Sequence, residues 1–156
     1  MSTRQLEMSR TFPASIEDAY DVVLTSPLTA LFSRHYGVIA RIKAVEGQEG
    51  EWGRAVGQSR TIRLADRGTM RETLTVIERP QRFGYTIEDV TGAMKALVAA
   101  ADGTWTFEPA GTGTRVTWRW DLTPTKAGRF AMPVFSRLWL GYARQAMDRI
   151  EEILVP

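Results

Sequence analysis

Through the middle of this chain apolar side chains recur with a period of two. Near both ends they recur in steps of three and four, and these changes of period mark out the elements. Residues 4–12 alternate, with Leu6, Met8, Arg10 and Phe12 on one face and Glu7, Ser9 and Thr11 on the other; this predicts a strand that Pro13 stops. Ser15 stands three residues before Asp18, a capping-box-like spacing ahead of Ile16, Ala19, Tyr20 and Val23, and predicts a short helix. Ser26 as N-cap and Pro27 at the first helical position announce a second, which carries Leu28, Leu31 and Phe32 and ends by Gly37.

The period of two then returns. It predicts strands over Val38–Val45, Gly57–Leu64, Thr69–Glu78, Phe83–Val90, Met94–Phe107 and Thr114–Leu122. Between them stand turn-rich segments: GQEGEWG, Asp66-Arg67-Gly68, Arg79-Pro80-Gln81 and Ala110-Gly111-Thr112-Gly113. The last segment, from Thr125 to Leu154, is helical in pattern. Pro133 suits a helix interior poorly, so the main helix is predicted to begin near it, with a separate turn or kink before. Val134, Leu138, Tyr142, Ala146, Ile150 and Leu154 then form its apolar face, while Arg137, Arg144, Arg149 and Glu152 lie mainly on others. A strand, two short helices, about six strands and one long helix make an α+β chain. That order points to a curved antiparallel sheet around the helix, with a ligand cavity between them. No repeat or linker interrupts it, so residues 1–156 are expected to form one domain.

Composition narrows the function classes. Net charge is +2, and 17 of the 20 basic residues are Arg. No basic run is present to track a phosphate backbone, so no nucleic-acid partner is expected. Cysteine is absent, which removes disulfides, thiolate nucleophiles and cysteine metal sites together. With one histidine no His-rich metal site is expected, and no sequence feature calls for a cofactor. The N-terminus lacks the apolar core of a signal peptide and no stretch is long enough to span a bilayer, so the expectation is a cytoplasmic protein without an integral membrane segment.

Several segments together resemble a known superfamily. They are the opening strand with the Pro13–Tyr20 segment after it, Val56-Gly57-Gln58-Ser59-Arg60-Thr61, Glu72 in the next strand, Pro80 followed by Tyr85, and Gly113–Trp118 ahead of the final helix. In order and spacing these resemble the START-like, or SRPBCC, superfamily, and within it the polyketide cyclase/dehydrase group, over nearly the whole chain. The resemblance implies a helix-grip fold, a seven-stranded antiparallel sheet gripping the C-terminal helix. It also implies a cavity for lipids, polyketides, hormones or other mainly apolar molecules. It does not imply catalysis, because the superfamily mixes binders, carriers and enzymes.

Strand alternation assigns the inner face. Gln58, Arg60, Ile62 and Leu64 share one side of their strand, and Met70, Glu72, Leu74 and Val76 share one side of the next. Pointing the apolar members inward carries Arg60 and Glu72 with them, as a structural ion pair or as an anchor for a carboxylate, hydroxyl or carbonyl on a greasy ligand. Phe83, Tyr85 and Ile87 face inward next, then Trp105 and Phe107, then Trp118, Trp120 and Leu122. On the parity of Trp105 stand Leu97, Ala99, Ala101 and Gly103, small residues that either let the helix approach or leave a hollow. The cavity is expected to measure about 300–1,000 Å³. Its expected ligand-binding residues are Arg60, Ile62, Glu72, Leu74, Tyr85, Trp105, Trp118, Leu138 and Tyr142. His35, beside the expected mouth, reads as a capping or surface residue or as an acid–base group at the entrance.

Three functions follow in order. The first is binding of a hydrophobic small molecule, lipid-, polyketide- or aromatic-like. The second is a cyclase or dehydratase, in which Arg60, Glu72, Tyr85 and His35 are the catalytic candidates. The third is a protein-interaction module of the chaperone-regulator kind, which the polar outer positions Arg63, Arg71, Thr73, Thr75, Thr117, Arg119 and Asp121 disfavour. Ligand identity and oligomeric state are open at this point.

Overall fold

The computed structural model describes residues 3–156. Its elements are strands β1 (Arg4–Phe12), β2 (Ile42–Glu46), β3 (Ser59–Leu64), β4 (Thr69–Glu78), β5 (Arg82–Glu88), β6 (Val98–Ala110) and β7 (Gly113–Pro124) and helices α1 (Ile16–Thr25), α2 (Leu28–Leu31) and α3 (Gly128–Leu154). The strands form one antiparallel sheet in the order β1-β7-β6-β5-β4-β3-β2. Every connection within the run from β2 to β7 joins neighbours in the sheet, and β1 closes the far edge by pairing with β7 from Arg4↔Leu122 to Phe12↔Thr114. The inner face of this sheet carries the apolar core, covered by α1, α2 and α3. This is the helix-grip arrangement.

Local chemistry explains most of the boundaries. Ser15 caps α1, its hydroxyl accepting the Asp18 N–H at 3.1 Å. Ser26 is not the cap of α2: it closes α1, its N–H bonding to the Val22 carbonyl, and Pro27 takes the cap position instead. Residues 36–39 pair with each other across a tight turn, so β2 begins at Ile42 and Val38 is left exposed. Gly92–Ala96 forms a 3₁₀ turn that buries Met94, where a continuous strand was expected.

α3 also starts earlier than its proline suggested. The Thr125 hydroxyl accepts the Gly128 N–H at 2.8 Å and donates to the Ala96 carbonyl at 2.6 Å, which caps the first turn and ties it to the sheet. Gly128 rests on the backbone of Leu97, where a Cβ would collide with the Leu97 carbonyl. These anchors carry the helix through Pro133, five residues inside it. The buried stripe of α3 is Met132, Phe135, Trp139, Tyr142, Ala143, Ala146, Met147 and Ile150, and Val134 is 64% exposed. The expected stripe was written in steps of four. At about 100° per residue each such step drifts by about 40°, so that stripe winds off the core at both ends.

Two bulges shift the inner face. Between Leu74 and Val76 the β4 register slips, and Ile77, opposite Phe83, joins the core in place of Val76. Between Val98 and Ala100 the β6 register slips likewise, so Val98 is buried while Ala99 is exposed. The outer face is polar as expected. Arg63, Arg71, Thr75 and Arg119 are exposed there, and Arg63 pairs with Glu46 at 2.7 Å.

Candidate functional site

The inner face is built in cross-strand rows. Leu74, Tyr85, Gly103, Trp120 and Leu6 stand opposite one another in turn across five strands. Gly103 is the gap in that row. A Cβ there would land inside the Tyr85 ring, so the missing side chain lets Tyr85 lie flat across β6 toward β7. Its hydroxyl oxygen then accepts two indole N–H groups, from Trp118 at 2.8 Å and Trp120 at 2.9 Å. The small residues of β6 therefore neither seat the helix nor leave a hollow at Gly103; they seat a tyrosine.

The next rows supply the walls. Trp105 and Trp118 stack at 5.1 Å between ring centres, and Trp139 from α3 covers Trp118 at 4.6 Å. Tyr142 stacks on Phe32 at 5.3 Å and donates its hydroxyl to the Ala40 carbonyl at 3.0 Å. Burial raises the phenols of Tyr85 and Tyr142, and the negative charge of Glu72 adds to the effect at Tyr85.

Arg60 and Glu72 are direct cross-strand partners, joined Nε to Oε1 at 2.6 Å and both almost wholly buried. The Arg60 guanidinium also donates to Gln48 Oε1 at 3.1 Å and lies 3.8 Å over the Trp52 ring. Burial raises the Glu72 carboxyl, and Arg60 pulls the other way. Trp52 comes from the 47–58 loop, whose hub is Gln58. The Gln58 carbonyl oxygen accepts the N–H groups of Gly53, Arg54 and Ala55, and its amide donates to the carbonyls of Glu49 and Glu51. Gln58 thus serves the loop and does not point into the cavity.

These residues enclose a cavity between sheet and α3 with about 70 Å³ of free volume. That is below the expected range, because the aromatic rings occupy most of the space. Arg60, Ile62, Glu72, Tyr85, Trp105, Trp118 and Tyr142 line it. Leu74 and Leu138 do not: Leu74 is sealed in the sheet core, and Leu138 packs over Gly37. His35 is exposed and lies outside the lining. Phe32, Trp52, Phe135 and Trp139 line the cavity unforeseen. An outer groove of about 610 Å³ adjoins it along Ser26, Gln48 and Glu51, with Leu28, Trp52 and Arg60 bordering both spaces. Among the described residues no three His, Asp or Glu side chains converge as metal ligands would, and no helix is long and apolar enough to cross a membrane.

Comparison with known proteins places this architecture. The family model described as "Polyketide cyclase / dehydrase and lipid transport" matches residues 3–154. Among solved structures, ginseng major latex-like protein 151 from Panax ginseng is similar over 100% of both chains, with a TM-score of 0.72 at 15% identity. Ara h 8.0201 is similar over 99% of both chains, with a TM-score of 0.70 at 15% identity. The protein TTHA0849 from Thermus thermophilus is similar over 97% of both, with a TM-score of 0.70 at 18% identity. At these identities the likeness is one of fold. Comparison with curated proteins found no match.

Proposed function

The chain belongs to the polyketide cyclase/dehydrase and lipid transport family, and from that premise we propose that it binds a mainly apolar small molecule in the cavity between the sheet and α3. The observation that carries this reading is polar chemistry inside an aromatic chamber. Arg60, Glu72 and Tyr85 all line a space otherwise walled by Trp105, Trp118, Trp139 and Phe135. Simple core packing needs none of these polar groups, and each would cost stability if left without a partner.

The ligand enters from the outer groove, past Trp52 and Arg60, which border both spaces. With about 70 Å³ free, a ligand larger than a single small ring makes room by turning aromatic side chains outward. Tyr142 and Phe32 are the natural ones to move, since α3 carries one and α2 is flanked by the other. Catalysis of a cyclase or dehydratase kind is the second reading. It is favoured by the same trio, because a buried ion pair and a phenol can orient a folded reactive chain and move a proton.

Native mass spectrometry of the protein purified from the organism that makes it tests the first reading. The expected result is a retained small molecule, released on denaturation and lost in an Ile62→Trp variant that fills the cavity. If nothing is retained and the purified protein also fails to bind 1-aminoanthracene, the reading is wrong.

A further inference from the structure

We infer that the ligand presents a neutral hydrogen-bond-accepting oxygen, of ketone, ester or quinone type, and that Tyr85 reads it as a hydrogen-bond donor. This rests on the proposed occupancy of the inner cavity and specifies what occupies it.

The argument begins with the two indoles. A phenol oxygen can accept and can donate one proton. Trp118 and Trp120 already fill the accepting side, at 2.8 Å and 2.9 Å. Donation is the capacity left, and Tyr85 has no acceptor for its proton among the described residues. Glu72 accepts from Arg60 and has no hydrogen bond to Tyr85. Burial and the Glu72 charge keep the proton on the phenol through the neutral range. Two N–H groups donating into the oxygen also polarise its O–H, as neighbours in a hydrogen-bond chain do.

Trp139 points the same way independently. Its indole N–H is buried and has no partner. Its ring lies 4.6 Å from Trp118 and 6.1 Å from Trp120, the two residues that hold the Tyr85 hydroxyl. Tyr142, by contrast, has its acceptor in the Ala40 carbonyl. Tyr85 and Trp139 thus leave two donors unused in a chamber whose one carboxylate, Glu72, is already engaged by Arg60 through one oxygen.

Charge then selects among acceptors. Arg60 is matched by Glu72 at 2.6 Å, so the site offers no free positive charge. A carboxylate would bring a second negative charge near Glu72 in a water-poor chamber. An alcohol offers Tyr85 the same accepting oxygen but adds a proton that only Glu72, already engaged by Arg60, could take. A carbonyl oxygen has two lone pairs and no proton, which suits two buried donors.

Matched probes test this: 1-indanone and indane share a shape and differ by one carbonyl. Titration of the full-length protein, followed by tryptophan fluorescence and calorimetry, should show 1-indanone binding about tenfold more tightly than indane, the worth of one good neutral hydrogen bond. In Tyr85→Phe the preference for 1-indanone over indane, read as the ratio of the two affinities in the same variant, should shrink. The carbonyl stretch of 1-indanone bound to the unmodified protein gives a second readout that needs no variant, and should lie below its value in hexane. Equal affinity for both probes, or an unshifted carbonyl, overturns the inference and leaves apolar binding standing. Failure of both probes to bind overturns the inference together with the binding reading beneath it.

Discussion

Tyr85 lies over the α-carbon of Gly103, and this contact decides the polar architecture of the chamber. Any side chain at position 103 would lift the ring away from Trp118 and Trp120 and strand two buried indole N–H groups. Gly103→Ala should therefore destabilise the fold by about 1–3 kcal/mol, as overpacking does. In a Tyr85→Ala background the same change should cost close to nothing. A double-mutant cycle by urea denaturation measures this coupling. Additive effects would show that the ring does not depend on the glycine.

Arg60 and Glu72 should behave as one unit. Glu72→Met alone leaves a guanidinium buried without its carboxylate and should cost about 3–5 kcal/mol. Arg60→Met combined with Glu72→Met should be close to neutral, because both charges leave together. Trp52 loses its cation partner in the double variant, which should therefore also show altered tryptophan fluorescence. A double variant as unstable as the single one would contradict the pairing.

Alternation places side chains on the inner face wherever a strand runs without a bulge. Arg60, Glu72, Tyr85, Trp105 and Trp118 share the cavity because their strands keep period two between them and the core. Past a bulge the same rule inverts, which is why Val76 and Ala99 were misplaced. Nothing in local composition marks those slips; they follow from how twisted neighbours pair. Trp52 was illegible for another reason. Its segment reads as an exposed turn, and the side-chain amide of Gln58 at the end of that segment folds it so that the indole meets Arg60. Gly103 was visible as a small residue, but its purpose lies in the ring of a residue on the neighbouring strand, which periodicity does not encode.

Asp21 on α1 and Arg79, just after β4, give a pH dependence whose sign can be worked out. The Arg79 guanidinium donates to both Asp21 oxygens at 2.8 Å and holds the carboxyl below its ordinary value. A carboxylate with a depressed folded-state pKa adds stability above its unfolded value, and that stability is lost as pH falls through the lowered one. The stability gap between the parent protein and Asp21→Asn should accordingly be present at pH 7 and shrink below about pH 4, the usual range for an aspartate. Both groups are half exposed, so the gap should be small and should narrow further in high salt. Denaturation curves of the two proteins at about pH 7 and about pH 3 decide it. A gap that widens in acid would reverse the assignment.

Trp52 should control how fast a ligand passes between the outer groove and the inner chamber. Its indole is 7% exposed, borders both spaces, and is pinned by the Arg60 guanidinium at 3.8 Å. Leucine at this position keeps an apolar plug but removes the flat ring and the cation stacking. Trp52→Leu should therefore speed both association and release of 1-aminoanthracene while changing its affinity much less, since a barrier lowered for entry is lowered equally for exit. Stopped-flow fluorescence on the two proteins gives both rates. Trp105, Trp118, Trp139 and Tyr142 stay in place around the chamber, so faster release with unchanged association, and affinity falling to match, would mean that Trp52 acts as a wall of the site and not as its gate. Unchanged rates would move the entrance elsewhere, and the stack of Phe32 on Tyr142 would be the next place to open.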